Sequence, residues 1–213
     1  MRLILFGPPG AGKGTQASLL KERKNLVHIS TGEIIRAAMK SDSPLGDKAR
    51  GYVTAGKLVP DSLVRKLAED AIAANDDDNF ILDGYPRTLQ QAEWLDEYLG
   101  MKGLHLTAVV SLKVEDFIIV DRLSKRRVNK ETGENYHIDF KPPPVDVPAE
   151  LIVQRPDDRP EAIETRLNEY RDITLPLEDY FRQTSRLVEV DGVGSMEAVF
   201  ERIDSAVSAR EVG

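Results

Sequence analysis

Apolar residues gather along this chain in two rhythms. Short runs of strand length occur at Leu3-Ile4-Leu5-Phe6, Val27-His28-Ile29, Phe80-Ile81-Leu82, Leu106 to Leu112 and Leu187-Val188-Glu189-Val190. Longer amphipathic stretches lie between them and read as helices. Nearly continuous apolar strands separated by helices predict an α/β fold, a five-stranded parallel sheet covered on both faces, with ligands at the carboxyl ends of its strands. The first helix is expected from Lys13 to about Lys24. Ser30-Thr31-Gly32-Glu33 fits a capping box, so a second should run to about Lys40. Pro44 opens a further helix that Gly56 closes. Another starts after Pro60, with Asp61 as its N-cap, and ends at the polar break Asn75-Asp76-Asp77-Asp78-Asn79, a solvated loop.

Two segments do not fit a simple alternation. Residues 30–59 put two short helices where one crossover helix would suffice. Residues 126–158 hold five prolines (Pro142, Pro143, Pro144, Pro148, Pro156) and no helical period. A structureless loop of that length is improbable in a compact domain. Tyr136, Ile138 and Phe140 alternate, Thr132-Gly133-Glu134 supplies a turn, and Leu151 and Val153 alternate again, which predicts a small all-β flap. The expected organisation is a core of residues 1–29, 60–125 and 159–213 with insertions at 30–59 and 126–158. Long insertions beside a site often act as lids.

Composition narrows the chemistry. The chain has 213 residues, 41% hydrophobic and 31% charged, without repeats or low-complexity tracts, as an ordinary globular protein does. A net charge of −7 argues against broad polyanion binding, so no nucleic-acid partner is expected. Apolar stretches are shorter than a bilayer requires, and the first strand begins at once, so no membrane partner and no signal peptide are expected, and a cytoplasmic location is. The absence of cysteine excludes disulfides, thiol catalysis and cysteine-based zinc sites.

Directly behind the first strand stands Gly7-Pro8-Pro9-Gly10-Ala11-Gly12-Lys13-Gly14-Thr15, a complete G-x-x-x-x-G-K-[ST] phosphate loop. Gly10, Gly12 and Gly14 let the backbone curl so that consecutive N–H groups face phosphate oxygens, and the following helix adds the positive end of its dipole. Lys13 is expected to reach the β- and γ-phosphates, and the Thr15 hydroxyl to bind Mg²⁺. Asp83, one residue past a short strand, is placed to orient waters around that ion. Gly84-Tyr85-Pro86-Arg87-Thr88 adds a proline-stiffened turn and an arginine at the same sheet edge.

The phosphate loop, Ser30-Thr31-Gly32-Glu33, Gly56-Lys57-Leu58-Val59-Pro60 and Asp83-Gly84-Tyr85-Pro86-Arg87-Thr88 together resemble the adenylate kinase family, in its long-lid subtype. The match continues through Asp121-Arg122-Leu123, Arg126-Arg127, Tyr136-His137, Gln154-Arg155-Pro156-Asp157-Asp158 and Arg166-Leu167-Asn168-Glu169-Tyr170, and so covers nearly the whole chain. The resemblance implies a three-layer P-loop fold in which residues 30–59 bind the nucleoside monophosphate and 126–158 form the lid. It implies reversible, Mg²⁺-dependent transfer of the γ-phosphoryl group of ATP to AMP, giving two ADP, by a monomer. Gly10, Ala11, Gly12, Lys13, Gly14, Thr15, Arg122, Arg126, Asn135, Tyr136 and Gly194 would then contact ATP. Thr31, Gly32, Arg36, Lys57, Leu58, Val59, Gly84, Tyr85, Pro86, Arg87 and Gln91 would line the AMP site. Arg155 and Arg166 would bridge toward the reacting phosphoryl group, so that Lys13, Asp83, Arg87, Arg126, Arg155 and Arg166 carry catalysis. Converging arginines suit this chemistry, because guanidinium binds phosphate in a bidentate manner.

The chain departs from the family in its flap. Some long-lid members hold zinc there with cysteines; here Asn129 and Thr132 stand at positions that can carry ligands, and no structural zinc is expected. The stretch from Pro142 to Glu150 is a few residues shorter than the usual connection and lacks its Thr-Gly-Glu turn. Arg127 and Lys125 read as solvated charges, Trp94 as packing, and the three histidines as noncatalytic. Asn129-Lys130-Glu131-Thr132 superficially matches a guanine-reading N-K-x-D but lacks its carboxylate. Open alternatives are a kinase for UMP or CMP, which the length of the flap and the presence of Gln91 and Thr31 disfavour, a noncatalytic ATP-binding regulator, and a switch-type GTPase.

Overall fold

The computed structural model describes residues 1–41 and 44–211. Asp42, Ser43, Val212 and Gly213, which the sequence reading assigns to the helical insertion and the core, lie outside the described residues. The main sheet comprises β1 (Arg2–Phe6), β2 (Val27–Ser30), β3 (Phe80–Asp83), β4 (Ala108–Lys113) and β8 (Leu187–Asp191), all parallel, in the order β2-β3-β1-β4-β8. Helices α1 (Lys13–Lys24) and α9 (Met196–Glu211) cover one face. Helices α4 (Asp61–Ala73), α5 (Leu89–Met101) and α8 (Leu177–Gln183) cover the other.

Alternation explains why β1 is apolar at every position from Leu3 to Phe6. Leu3 and Leu5 point to the face where Ala17, Leu20, Phe200 and Ile203 pack, whereas Ile4 and Phe6 enter the cluster of Ile72, Leu95, Leu99 and Phe181. Each strand side chain therefore loses its water, and no polar alternation survives. Register sets Asp83 level with Leu5 and Ser30, and Phe6 level with Ser111, so that the carboxyl ends of the strands form one edge. β1 lies between β3 and β4, and the loop that follows it opens at the middle of that edge.

The first insertion folds as α2 (Thr31–Lys40) and α3 (Pro44–Thr54). Ser30 caps α2, its hydroxyl accepting from the Glu33 N–H at 3.4 Å. The expected cap of α4 is corrected: Pro60 occupies the N-cap position, and Asp61 is the first helical residue. The Asp61 carboxylate is drawn instead to Thr88 Oγ1 and Gln91 Nε2, at 2.7 and 2.8 Å.

Helix α6 (Asp116–Lys125) leads into a second, antiparallel sheet of β5 (Arg126–Asn129), β6 (Asn135–His137) and β7 (Ile152–Val153), in the order β6-β5-β7. This flap is β-structured, but Ile138 and Phe140 are not strand residues. His137 Nδ1 accepts from the backbone N–H groups of Asp139 and Phe140, the chain doubles back to pair His137 with Lys141, and Pro142-Pro143-Pro144 can donate nothing to a ladder. Leu151 closes a 3₁₀ turn over Ala149–Leu151 rather than alternating with Val153. Helix α7 (Pro160–Glu169) then widens into a π turn at Tyr170–Thr174, which carries the Tyr170 ring to 6.0 Å from that of Phe6.

Gly46 decides how closely α2 and α3 pack. A Cβ there would lie 2.2 Å from the Ala38 carbonyl oxygen and 2.7 Å from Met39 Cα. In an open helix Gly→Ala gains up to about 1 kcal/mol of propensity, whereas forcing atoms into closed packing costs about 1–3 kcal/mol. The clash is with backbone, so the second effect wins. Gly46→Ala should lower unfolding free energy in a urea titration; equal or greater stability would show that α3 can slide away from α2.

Candidate functional site

The loop between β1 and α1 is shaped by its glycines. Gly10 has φ 82°, and a Cβ there would strike Leu123 Cγ at 2.9 Å, so only glycine lets α6 approach. Gly12 has φ 101° and nothing within 4 Å of an added Cβ, so the loop's inner side faces open space. Lys13 curls over this loop and donates from Nζ to the carbonyls of Gly7 and Pro8, both at 2.8 Å. Burial, reinforced by Arg87, Arg166 and Arg126 and opposed by Asp83, pulls its ammonium down to about 8.

Asp83 ends β3 opposite this lysine. Its Oδ2 would lie 3.7 Å from a Cβ on Gly14, one residue before the exposed Thr15, and 3.5 Å from His28 Nε2. Burial works to raise its pKa, but the His28 imidazole at 3.5 Å and the charges of Lys13 and Arg87 hold it below the ordinary carboxylate range. An ionised carboxylate beside the first turn of α1 is suited to a hard cation that keeps some of its water. No group of three or more His, Cys, Asp or Glu side chains among the described residues could hold a metal alone.

Around Lys13 the structure assembles guanidiniums from four elements. Arg87 donates from Nε to Gly84 O at 2.9 Å, and burial first, then Arg36 from α2, lowers its pKa against the pull of Asp83. Arg126 at the start of β5 grips Asp158 with two bonds, Nε to Oδ2 at 2.8 Å and Nη2 to Oδ1 at 2.5 Å. Arg166 from α7 donates to Asp157 O at 3.0 Å, lies 3.0 Å from Asp157 Oδ2, and reaches Asp158 Oδ1 at 3.3 Å. Arg155 donates to Asn135 Oδ1, and its buried Nε has no hydrogen-bond partner among the described residues. Burial first, then the neighbouring arginines, push Arg155 down to about 9; burial likewise brings Arg166 to about 10. Such mutual repulsion is relieved by anions, and a polyphosphate would supply several negative charges.

Other predicted residues fall into two groups. Arg122 bridges the loops on either side of it, donating to Ala11 O at 3.3 Å and Gly192 O at 3.1 Å, near Gly194 with φ 128°. Tyr136 is buried inside the flap, its hydroxyl donating to Glu134 at 2.9 Å. On the β3 side, Thr31 Oγ1 donates to Gly84 O at 2.9 Å, and Gly84, with φ 83°, has no room for a Cβ between Arg87 and Thr31. Gly32 lies against the Arg36 guanidinium. The Tyr85-Pro86 peptide is cis, and Tyr85 is fully buried. Gln91 accepts from Arg87 N at 2.7 Å. The Lys57 N–H is spent on Tyr52 O at 2.9 Å, the Val59 side chain is core, and Leu58 between them is half-buried. The two insertions touch, Lys40 Nζ donating to Lys130 O at 2.6 Å.

Sequence reasoning gave no role to Asp157, Asp158 or His28. The signal for the two aspartates was present: adjacent acids between arginines, in a chain whose cations must collect somewhere. Only tertiary contact reveals His28. Lys125 pairs with Asp121 and Asp139, both at 2.8 Å, and Arg65 stacks over half-buried Trp94 at 4.6 Å. Asn129 Oδ1 accepts from the N–H groups of Glu131 and Thr132, a turn motif that engages the amide oxygen locally.

A family model for adenylate kinase matches residues 5–186. A curated adenylate kinase of Salinibacter ruber is 58% identical over 211 residues, spanning 99% of this chain and all of the relative. Those of Carboxydothermus hydrogenoformans and Thermoanaerobacter sp. (strain X514) are each 42% identical, the alignments covering 97% and 99% of this chain and 99% of each relative.

The lowered Lys13 pKa gives the loop a proton signature. At about pH 9 the free lysine is largely neutral, and a bound polyphosphate, by stabilising its charge, must bring a proton with it. Tripolyphosphate binding followed by calorimetry in two buffers of different ionisation heat should show proton uptake that grows as pH rises through 8, the value to which Lys13 is lowered. Lys13→Met should remove the component centred near pH 8 and leave the uptake at higher pH that Arg155, lowered to about 9, contributes. Identical heats in both buffers for the unaltered protein would sink this account of Lys13.

Proposed function

This chain belongs to the adenylate kinase family, and from that premise we propose how its own residues perform the family's reaction, reversible transfer of the terminal phosphoryl group of ATP to AMP. The protein is a phosphotransferase of the nucleoside monophosphate kinase kind and binds ATP, AMP and ADP. The observation that carries the residue assignment is the convergence of Lys13, Arg36, Arg87, Arg126, Arg155 and Arg166 between the phosphate loop and the Gly84–Arg87 turn.

Phosphoryl transfer asks for little covalent chemistry. It needs two charged substrates in line and neutralisation of the charge spread over the moving group. In this reading the loop backbone from Gly10 to Thr15 and Lys13 take the donor phosphates. Arg122, tethered to Ala11 and Gly192, stacks on the donor adenine beside Gly194. Asn135 and Tyr136 bring the flap to the donor. Arg36 and Arg87 grip the AMP phosphate, while Thr31, Gly32, Gly84, Tyr85, Pro86, Gln91 and the backbone of Lys57, Leu58 and Val59 form the acceptor site. Arg126, Arg155 and Arg166 exchange carboxylate and amide partners for the reacting phosphoryl group. Mg²⁺ bound with ATP would supply charge neutralisation across the β- and γ-phosphates, with Thr15 and Asp83 holding it, the aspartate through water. No zinc is assigned to the flap.

Residues 30–59 and 126–158 are read as two lids on the core segments 1–29, 60–125 and 159–213. The contact of Lys40 with Lys130 supports a state in which they meet over both substrates and exclude water, so that ATP is not hydrolysed. Action as a monomer in the cytoplasm belongs to the same proposal and rests on the family.

A coupled assay with ATP and each of AMP, UMP, CMP and GMP tests the assignment. AMP-dependent formation of ADP is the expected result, and tight ATP binding without turnover would overturn it. Lys13→Ala should abolish turnover with the fold retained. Arg87→Ala should act chiefly on AMP, with a loss approaching the roughly 10³ to 10⁵ that a positioned arginine contributes in phosphoryl transfer. Normal AMP kinetics for Arg87→Ala would show the acceptor site to be misassigned.

A further inference from the structure

Four polar groups at the junction of α4 and α5 form a closed ring. Thr88, the N-cap of α5, donates its hydroxyl proton to Asp61 Oδ2 at 2.7 Å and accepts from the Gln91 N–H at 3.2 Å. Gln91 Nε2 donates to Asp61 Oδ1 at 2.8 Å, and Gln91 Oε1 accepts from the backbone N–H of Arg87 at 2.7 Å. Gln91 is buried, at 2% exposure, so water does not substitute for these partners.

The ring removes an ambiguity inherent in glutamine. A free amide can present its N–H and its carbonyl in either order by turning over, and so can pair with a donor-acceptor edge or with its reverse. Here turning over would set Oε1 against the Asp61 carboxylate and Nε2 against the Arg87 N–H, two repulsive contacts replacing two good ones. One N–H and one carbonyl lone pair remain, in a fixed order. Adenine places an acceptor ring nitrogen beside a donor amine, whereas hypoxanthine and guanine place a donor ring N–H beside an acceptor carbonyl. An amide fixed in one order serves one of these edges and meets the other with like against like.

We propose that Asp61 is a positioning residue for acceptor specificity: by holding the Gln91 amide in one orientation it makes the site discriminate adenine from six-oxo purines. This rests on the reading of Gln91 as a base contact in the AMP site. Asp61 needs no contact with substrate to act. A role confined to the α4 and α5 termini, through the helix dipole or the Thr88 cap, would change stability and turnover alike for every acceptor.

The test compares kcat and KM for AMP, IMP and GMP, with ATP as donor, in Asp61→Ala, Asp61→Asn and Gln91→Leu proteins and in the Asp61→Ala/Gln91→Leu double variant. Thermal unfolding and KM for ATP report on the fold. Losing a hydrogen bond to a charged partner is worth about tenfold or more, so Asp61→Ala should lower the AMP-to-IMP ratio of kcat/KM by at least about tenfold, mainly through a raised KM for AMP. Asp61→Asn, which keeps the shape and one acceptor, should move the ratio in the same direction by less, and it decides the matter if the alanine variant does not fold. In the Gln91→Leu background the Asp61 change should add nothing to the ratio. A ratio unchanged by both Asp61 substitutions but collapsed by Gln91→Leu would overturn the proposal and leave the AMP-site reading standing. A ratio unchanged by Gln91→Leu would overturn both.

Discussion

Like charge held at close quarters is the condition that the cleft has to meet. Lys13, Arg36, Arg87, Arg126, Arg155 and Arg166 are brought together by elements distant in sequence, and burial, then mutual repulsion, disfavours the charged forms of Lys13, Arg36, Arg87, Arg155 and Arg166. Folding tolerates this because Asp83, Asp157 and Asp158 stand among them. Asp158, at 1% exposure, serves two arginines at once, and Asp83 faces the lysine. The carboxylates compensate without saturating: among the described residues Arg155 Nε has no hydrogen-bond partner, and Lys13 Nζ donates to carbonyls of its own loop. A polyanion that enters takes over contacts that are already weaker than it can offer.

A second charged cluster at the same sheet edge shows what a purely structural solution looks like. Glu178 on α8 is buried, yet it accepts from Ser111 Oγ at 2.7 Å and from Lys113 Nζ at 2.5 and 2.6 Å, and Lys113 is balanced by Glu189 at 3.0 Å. Every charge there has its counter-charge on a fixed strand or helix, so the cluster clamps β4, β8 and α8 together. The cleft differs in geometry. Its arginines come from the sheet edge, the helical insertion, the flap and α7, so their spacing follows the arrangement of four separate elements rather than one. Chemistry and conformation are joined through these side chains.

How far the sequence disclosed this depends on the range of the interaction. The parallel sheet was legible because burial on both faces leaves a run such as Leu3-Ile4-Leu5-Phe6 with no polar alternation, and because the phosphate loop fixes strand, turn and helix in nine residues. The arginines could be named, since a cleft for phosphate needs them. Adjacent acids between arginines hint at their resting partners, but the pairing itself is long-range: Asp158 reaches Arg126 across the whole flap. Asp61 was misread as a cap for the same reason: the local pattern is right for one, but a proline before it and two donors on α5 outweigh the nearby N–H groups. Ile138 and Phe140 alternate as strand residues do, yet one imidazole nitrogen accepting two backbone N–H groups turns the chain there. Alternation predicts burial only where a second surface covers the strand, and these two residues lie exposed.

The flap draws its order from such local bonds rather than from a core. Tyr136 is its buried aromatic residue, while Ile138, Phe140 and Val145 face outward. What holds it is a set of short-range polar contacts: Asn129 closing its turn, Glu134 accepting from Tyr136 and Lys141 at 2.9 Å each, and His137 stacked on Phe140 at 4.6 Å. Each contributes about 0.5–1.5 kcal/mol net, so the flap keeps its own shape yet adds little apolar burial against the core. Its attachment runs instead through Arg166 with Asp157 and Asp158, Lys125 with Asp139, and Lys40 with Lys130. These are polar contacts, and the first uses an arginine assigned to phosphate. On that assignment, ligand charge and flap position are set by the same bonds, and exchanging a carboxylate for a phosphate changes both together.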